Sequence, residues 1–145
     1  MGDVYVHELR VRYGECDPQG IVFNANYLLY IDTAFTELWR EAVGPWQEMA
    51  DHGVDCVVAE AHQEFRGPAR FDDVVEVRLQ VTTIGTTSIT TEFDLHRGDE
   101  LLLESWLRHV CVSRETWTKT ELPDFIRTGL RRFAADDAER APEPA

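Results

Sequence analysis

The sequence predicts an α+β fold in which a long antiparallel β-sheet wraps around one central α-helix. Three observations lead to this prediction. One long amphipathic segment precedes a series of β-rich runs. Those runs exceed the usual five or six residues, and the turns between them are short, which makes neighbouring strands antiparallel. Because long antiparallel sheets twist strongly, a sheet with a single long helix to cover is expected to curl around it.

The central helix is predicted from Asn26 to Val43, where apolar residues recur at spacings of three and four and polar residues occupy the opposite side. Gly44 and Pro45 follow it as a glycine C-cap and a proline stop. A second, short helix is predicted from Pro45 to His52. The apolar positions of the central helix are Tyr27, Ile31, Ala34, Phe35, Leu38 and Ala42.

One strand is predicted before the helix, from Tyr5 to Arg12, and four strands are predicted after it. The second of those four alternates most clearly, which is typical of a sheet that packs on one face only. A short helix is predicted within residues 122–133, and the polar residues 134–145 are predicted to be a disordered tail. Residues 1–133 would then form a single domain. The four later strands are predicted at residues 54–65, 73–84, 87–97 and 101–114.

Composition limits the possible partners. With 27 acidic and 14 basic residues and a net charge of −13, the chain lacks the basic face that nucleic-acid binding needs. It shows no signal peptide and no run approaching the roughly 20 apolar residues of a membrane span. Its three cysteines are far apart, without zinc-site spacing, so they are expected to be reduced thiols. We therefore expect a soluble cytoplasmic protein that does not bind nucleic acid or membranes.

The stretch YGECDPQGIVFNANY, from Tyr13 to Tyr27, places one carboxylate, that of Asp17, among turn residues just before the helix. The first turn of a helix offers unpaired amide donors and a partial positive charge, which can polarise the carbonyl group of a bound ligand. Gly20 would allow the loop to turn tightly and its backbone to approach a ligand closely. An ionised Asp17 could activate water or attack the carbonyl itself, and the sequence leaves both roles open.

The order strand, loop, long helix and four strands, together with the pattern D-P-x-G-I-V-x-x-x-N-Y, resembles the hotdog-fold acyl-CoA thioesterases of the 4-hydroxybenzoyl-CoA thioesterase type. The similarity extends from about Val6 to Trp117, and residues 68–77 resemble the family's segment leading into the third strand. The residues that match the pattern are Asp17, Pro18, Gly20, Ile21, Val22, Asn26 and Tyr27.

The resemblance implies that Asp17 is the catalytic carboxylate and that the backbone N–H of Asn24 polarises the carbonyl. Tyr13 matches a tyrosine found in part of the family, which would orient the acid or the substrate. The side chains of Asn24 and Asn26 are interpreted as helix caps. Gly20, Val22, Tyr27, Arg66 and Arg70 are predicted to bind substrate, the two arginines through the phosphates of CoA.

The predicted substrate is an acyl-CoA or acyl-carrier-protein thioester, with an aryl or an aliphatic acyl group. No metal, flavin or nicotinamide motif is present in the sequence, and thioester hydrolysis needs no cofactor beyond water. Open sheet edges predict a homodimer or homotetramer. The resemblance implies sites at the subunit interface, with Asp17 and Arg66 contributed by different chains.

Two other classes of function remain open. A hotdog hydratase or dehydratase would use a paired Asp and His, but no His follows Asp17 in the loop. A noncatalytic domain that binds acyl-CoA or acyl-carrier protein would use Asp17 only as a turn residue.

Overall fold

The computed structural model of the protein describes residues 2–140 and contains one five-stranded antiparallel sheet with the strand order β1-β3-β4-β5-β2. Short 3₁₀ turns at Tyr13–Glu15 and Arg131–Phe133 supplement the regular elements. The predicted order of one strand, a long helix and four strands is confirmed. The elements are β1 (Tyr5–Arg10), α1 (Asn24–Ala42), α2 (Gln47–Asp51), β2 (Val54–Phe65), β3 (Val74–Ile84), β4 (Ser88–Arg97), β5 (Glu100–Ser113) and α3 (Asp124–Leu130).

The inner face of the sheet packs on α1, and this contact forms the core. Side chains alternate along β3, so Val75, Val77, Leu79 and Val81 are all buried while the residues between them are partly exposed. Burying each large apolar side chain contributes roughly 1.5–3 kcal/mol. The predicted wrapping of the sheet around one helix is therefore confirmed. From α1, the core receives Tyr27, Tyr30, Ile31, Ala34, Phe35, Leu38 and Trp39.

The C-terminal end of α1 is capped as predicted, whereas its N-terminal end is not. Gly44, with φ +128°, donates its amide to the Trp39 carbonyl at 3.0 Å, so the predicted glycine cap at the C-terminal end is confirmed. The helix begins at Asn24, two residues earlier than predicted, and its N-cap residue is Phe23. No side chain caps this end, so the capping role assigned to the side chains of Asn24 and Asn26 is wrong. The Asn26 amide instead donates to the Glu15 carbonyl at 2.8 Å.

One polar residue, His109 on β5, lies inside the core and is only 3% exposed. Its ring stacks on Phe35 with a centroid distance of 4.1 Å and an interplanar angle of 10°. Burial lowers the pKa of His109 to about 4, because a charged imidazolium would lose its hydration there. The side chain is therefore a neutral part of the core at physiological pH.

The C-terminal segment corrects the predicted boundary at Phe133. Ala135 donates its amide to the Val81 carbonyl at 2.8 Å, and Ile84 donates to the Ala138 carbonyl at 2.9 Å. Ala134 and Ala138 are buried. Residues 134–140 are thus ordered against β3, because small alanine side chains can pack beside a strand whatever the polarity of their neighbours. Residues 141–145 of the predicted tail lie outside the described part.

The two edges of the sheet differ. β1 has six residues, whereas β2 has twelve and exposes three large apolar side chains, those of Val57, Val58 and Phe65. A β-bulge interrupts the pairing of β2 with β5 between Val58 and Glu60. Within residues 2–140, the helices are all too short or too polar to cross a membrane.

Candidate active site

Asp17 lies in a tight turn that folds back on the residues before α1. Its amide donates to the Ile21 carbonyl at 2.9 Å, and Cys16 pairs with Val22 in an antiparallel bridge. Gly20 donates to the Asp17 carbonyl at 2.9 Å and has a φ of +79°, a conformation that only glycine adopts at little cost. A Cβ at Gly20 would meet no atom within 4 Å. Within this chain, Gly20 is therefore required by its backbone angle.

Asp17 is partly buried, and only one of its carboxylate oxygens is hydrogen-bonded within residues 2–140. Oδ1 accepts the Gln19 amide at 2.9 Å, which is the usual contact of an Asx turn. No hydrogen bond from residues 2–140 reaches Oδ2. One oxygen thus holds the turn, and the other is available to a water molecule or a substrate.

The start of α1 offers unpaired donors close to this turn. Phe23 donates its amide to the Glu15 carbonyl at 2.9 Å, and Asn26 donates to the Phe23 carbonyl at 2.8 Å. The amides of Asn24 and Ala25, between them, have no acceptor among residues 2–140, and both residues are exposed. These two donors carry the partial positive charge of a 19-residue helix. The short ladder of residues 15–17 with 21–23 therefore joins the Asp17 turn to an open helix N-terminus.

The segment before β3 holds the loop in place. Val22 donates to the Ala69 carbonyl at 2.8 Å, and Ile21 pairs with Arg70. The Ala69 amide in turn donates to the Tyr27 hydroxyl at 3.0 Å. The Asp17 loop thus meets residues 69–70 of its own chain.

The two arginines predicted to bind phosphates lie in different surroundings. Arg70 is exposed, and its guanidinium makes no hydrogen bond or ion pair with residues 2–140. Arg66 instead donates to Glu104 at 2.9 Å and pairs with Glu64. It lines a groove of about 660 Å³ on the outer face of the sheet, together with His62 and Trp106. The structure therefore brings Arg70 to the Asp17 loop and directs the charge of Arg66 to the outer groove.

The remaining predicted residues divide into exposed and buried ones. Tyr13 is 79% exposed and packs edge-on against Phe71, with ring centroids 5.8 Å apart. Its hydroxyl has no hydrogen-bond partner within the described chain. Val22 and Tyr27 are almost fully buried and support the loop through the contacts with Ala69.

Two residues near the site were not identified from the sequence. The Tyr30 hydroxyl donates to Glu15 Oε1 at 2.8 Å. Glu15 stands two residues before Asp17, and Tyr30 lies one helical turn after Tyr27. Their closeness in sequence to Asp17 and Tyr27 was the only sequence signal. Helical and strand periodicity cannot predict a contact between two residues that lie 15 positions apart.

The fold and this loop define a class of protein: a hotdog domain with a carboxylate turn at the open end of its central helix. Residues 19–104, more than half of the chain, match the family model described as Thioesterase superfamily. The acyl-CoA thioester hydrolase YbgC of Escherichia coli is 30% identical over 119 residues, covering 81% of this chain and 89% of the relative. The 1,4-dihydroxy-2-naphthoyl-CoA hydrolase of Nostoc punctiforme is 25% identical over 139 residues, covering 94% of both chains.

The solved structures show the same fold. A protein of unassigned function from Thermus thermophilus superposes with a TM-score of 0.81 at 30% identity, covering 89% of this chain and 98% of that one. The chain therefore belongs to the thioesterase superfamily. The predicted hotdog fold and the predicted enzyme class, a thioester hydrolase, are confirmed.

Proposed function

We propose that this enzyme hydrolyses an acyl-CoA to a free carboxylic acid and CoA, using the Asp17 carboxylate and the open N-terminus of α1. The observation that carries the proposal is the short ladder that joins the Asp17 turn to the unpaired amides of Asn24 and Ala25. The name of the Escherichia coli relative, an acyl-CoA thioester hydrolase, supports the choice of substrate.

In this mechanism the thioester carbonyl oxygen accepts a hydrogen bond from the Asn24 amide, which stabilises negative charge as the carbon becomes tetrahedral. One such donor can contribute roughly 3–4 kcal/mol to the transition state. Asp17 then acts in one of two ways. As a base it takes a proton from the attacking water, and CoA leaves as a thiolate that is protonated afterwards. As a nucleophile it attacks the carbonyl carbon, the C–S bond breaks and CoA leaves as a thiolate, and water then hydrolyses the resulting acyl anhydride to the free acid and the regenerated carboxylate.

The two ends of the substrate meet different groups. Arg70, with its unpaired guanidinium next to the loop, is the cation that fits a CoA phosphate. At the acyl end, the rings of Phe23 and Phe65 are about half exposed, and the Phe65 ring lies 5.5 Å from that of Tyr27. Exposed aromatic rings accept either an aryl or an aliphatic acyl group. Both acyl classes therefore belong in the substrate test.

The proposal includes a homodimer or a tetramer built from dimers. A long edge strand with exposed apolar residues favours pairing with a second copy, and β2 presents Val57, Val58 and Phe65 in this way. Leu28 and Leu29 are also exposed on α1. Pairing along β2 would cover that edge and enclose the acyl group. The proposal also retains the cytoplasmic location expected from the sequence.

The test is release of thiol from a panel of aryl- and fatty-acyl-CoAs and an acyl-carrier-protein thioester, followed by the Asp17→Asn variant. We expect turnover to fall at least about a hundredfold, since the amide is neither a base nor a nucleophile, with little change in melting temperature. Asp99→Asn, in the exposed turn between β4 and β5, is the matched control and should keep wild-type turnover.

Three results would contradict the proposal. Retained turnover in Asp17→Asn would remove the assigned role of the carboxylate. Binding of acyl-CoA without thiol release by the wild type would indicate a noncatalytic binding domain. Addition of water to an enoyl-CoA without thiol release would indicate a hydratase.

A further inference from the structure

The Glu15 side chain, two residues before Asp17, is held by a residue of the central helix. Tyr30, buried on α1, donates its hydroxyl to Glu15 Oε1 at 2.8 Å. The Glu15 side chain is only 13% exposed. A carboxylate in such a position keeps its charge only if several donors surround it.

Those donors are present. The Arg12 amide donates to Oε1 at 2.7 Å, and the Arg12 guanidinium donates to Oε2 at 3.1 and 3.3 Å. Burial acts to raise the pKa of Glu15, but the hydrogen bonds from the Arg12 amide, the Tyr30 hydroxyl and the Arg12 guanidinium together bring it below its usual range. The pKa of Tyr30 is raised by burial and then by its bond to Glu15. The pair is therefore a carboxylate with a neutral phenol donor at neutral pH.

The main chain of Glu15 makes a second connection to the helix start. Its carbonyl accepts the Phe23 amide at 2.9 Å and the Asn26 side-chain amide at 2.8 Å. Phe23 immediately precedes Asn24, whose amide is the proposed carbonyl donor. On the other side, Glu15 is two residues from Asp17, and the Cys16–Val22 bridge lies between them.

We propose that Glu15 is a positioning residue whose ionised carboxylate, held by Tyr30 and Arg12, sets the distance between the Asp17 carboxylate and the Asn24 amide. This inference rests on the proposed function, because it concerns the alignment of those two groups. A misplacement of about 1 Å between reacting groups can cost roughly a hundredfold in rate. Glu15 touches neither the substrate nor the reacting atoms, so it acts through the placement of the turn.

The first test uses Glu15→Gln and Tyr30→Phe, which keep the size of each side chain and remove the charge or the hydroxyl. We expect kcat to fall roughly ten- to a hundredfold in each, with KM changed less than about threefold. Activity is measured well below the melting temperature of each variant, where a purely structural role would leave kcat unchanged. Glu8→Gln, at an exposed glutamate on β1, is the control and should keep wild-type kcat.

The second test is the double variant, Glu15→Gln with Tyr30→Phe. Because the two residues act through one contact, the kcat of the double variant should equal that of the less active single variant. If the two residues acted independently, the fold-losses in kcat of the single variants would multiply. If Glu15→Gln does not fold, Tyr30→Phe decides alone.

A folded Tyr30→Phe or Glu15→Gln enzyme with wild-type kcat would overturn the inference. Multiplicative losses in the double variant would overturn it as well. Failure of the proposed function gives a different result, since Asp17→Asn would then keep its turnover. An inactive Asp17→Asn beside a fully active Glu15→Gln removes only the positioning role.

Discussion

The Tyr27 hydroxyl accepts a hydrogen bond from the Ala69 backbone amide at 3.0 Å and so ties the first turns of α1 to the segment before β3. The same segment receives the Val22 amide on the Ala69 carbonyl. The loop, the helix start and Arg70 are thereby held in one fixed relation within a single chain.

The turn at Gly20 should tolerate no side chain. At its φ of +79°, an alanine costs roughly 1–2 kcal/mol, and the turn that holds Asp17 would change shape to relieve the strain. For Gly20→Ala we expect a melting temperature lower by about 3–6 °C and a reduced kcat. Scanning fluorimetry and the thiol-release assay measure both. Gly14→Ala is the control, because a Cβ there meets no atom within 4 Å and no positive φ is involved. Equal melting temperatures in the two variants would contradict the argument.

Arg70 and Arg66 should differ in their effect on CoA binding. Losing a charged contact to a phosphate typically costs 1.5–3 kcal/mol, so Arg70→Ala should raise KM for acyl-CoA at least about tenfold. The same acyl group on N-acetylcysteamine, which lacks the nucleotide, should show little change. Arg66→Ala should leave KM nearly unaffected, because its guanidinium is engaged by Glu64 and Glu104. An equal increase in both variants would show that Arg66 also reaches the nucleotide.

The edge formed by β2 should control assembly. A lysine at Val58, which is 48% exposed, places charge on the surface proposed to pair, and charged side chains are a common way to block edge pairing. We expect light scattering to show that Val58→Lys is a monomer. Without the partner subunit, the variant should also lose thiol-release activity. Val6→Lys on β1, at the opposite edge and 50% exposed, should keep the wild-type mass and activity. A monomeric wild type with full activity would refute the dimer.

Acid should destabilise the fold through His109. Its pKa is about 4 in the folded chain and about 6.5 when unfolded, so between these values only the unfolded chain takes up the proton. The contribution of neutral His109 to the free energy of unfolding is complete above about pH 6.5. It is lost as the pH falls toward 4, and the total loss is on the order of 3 kcal/mol. Urea unfolding from pH about 7 to about 4.5 measures this loss. His109→Phe, which keeps a ring against Phe35, should show a smaller decline, and an equal decline would rule out His109 as the cause.

Much of the site was accessible from local sequence. The Asp-Pro and Gln-Gly pairs predict a turn, and the apolar spacing after Asn26 predicts a helix, so the approach of Asp17 to a helix N-terminus follows from about ten neighbouring residues. The contacts that support this approach were not accessible. Tyr27 was predicted to contact substrate, but its hydroxyl is engaged by Ala69, 42 residues away.

The order of elements, the long central helix with its glycine stop, and the turn that carries Asp17 could all be predicted from the sequence. These features depend on side-chain periodicity and on backbone preferences, which act over a few residues. Three features depend on long-range contacts: Glu15 meets Tyr30, Arg66 lines the outer groove while Arg70 stays at the loop, and residues 134–140 pack on β3. Each of these depends on which distant surfaces the wrapped sheet brings together. A local sequence pattern does not show which distant surfaces will meet, because the energy of a contact depends on the side chains of both partners.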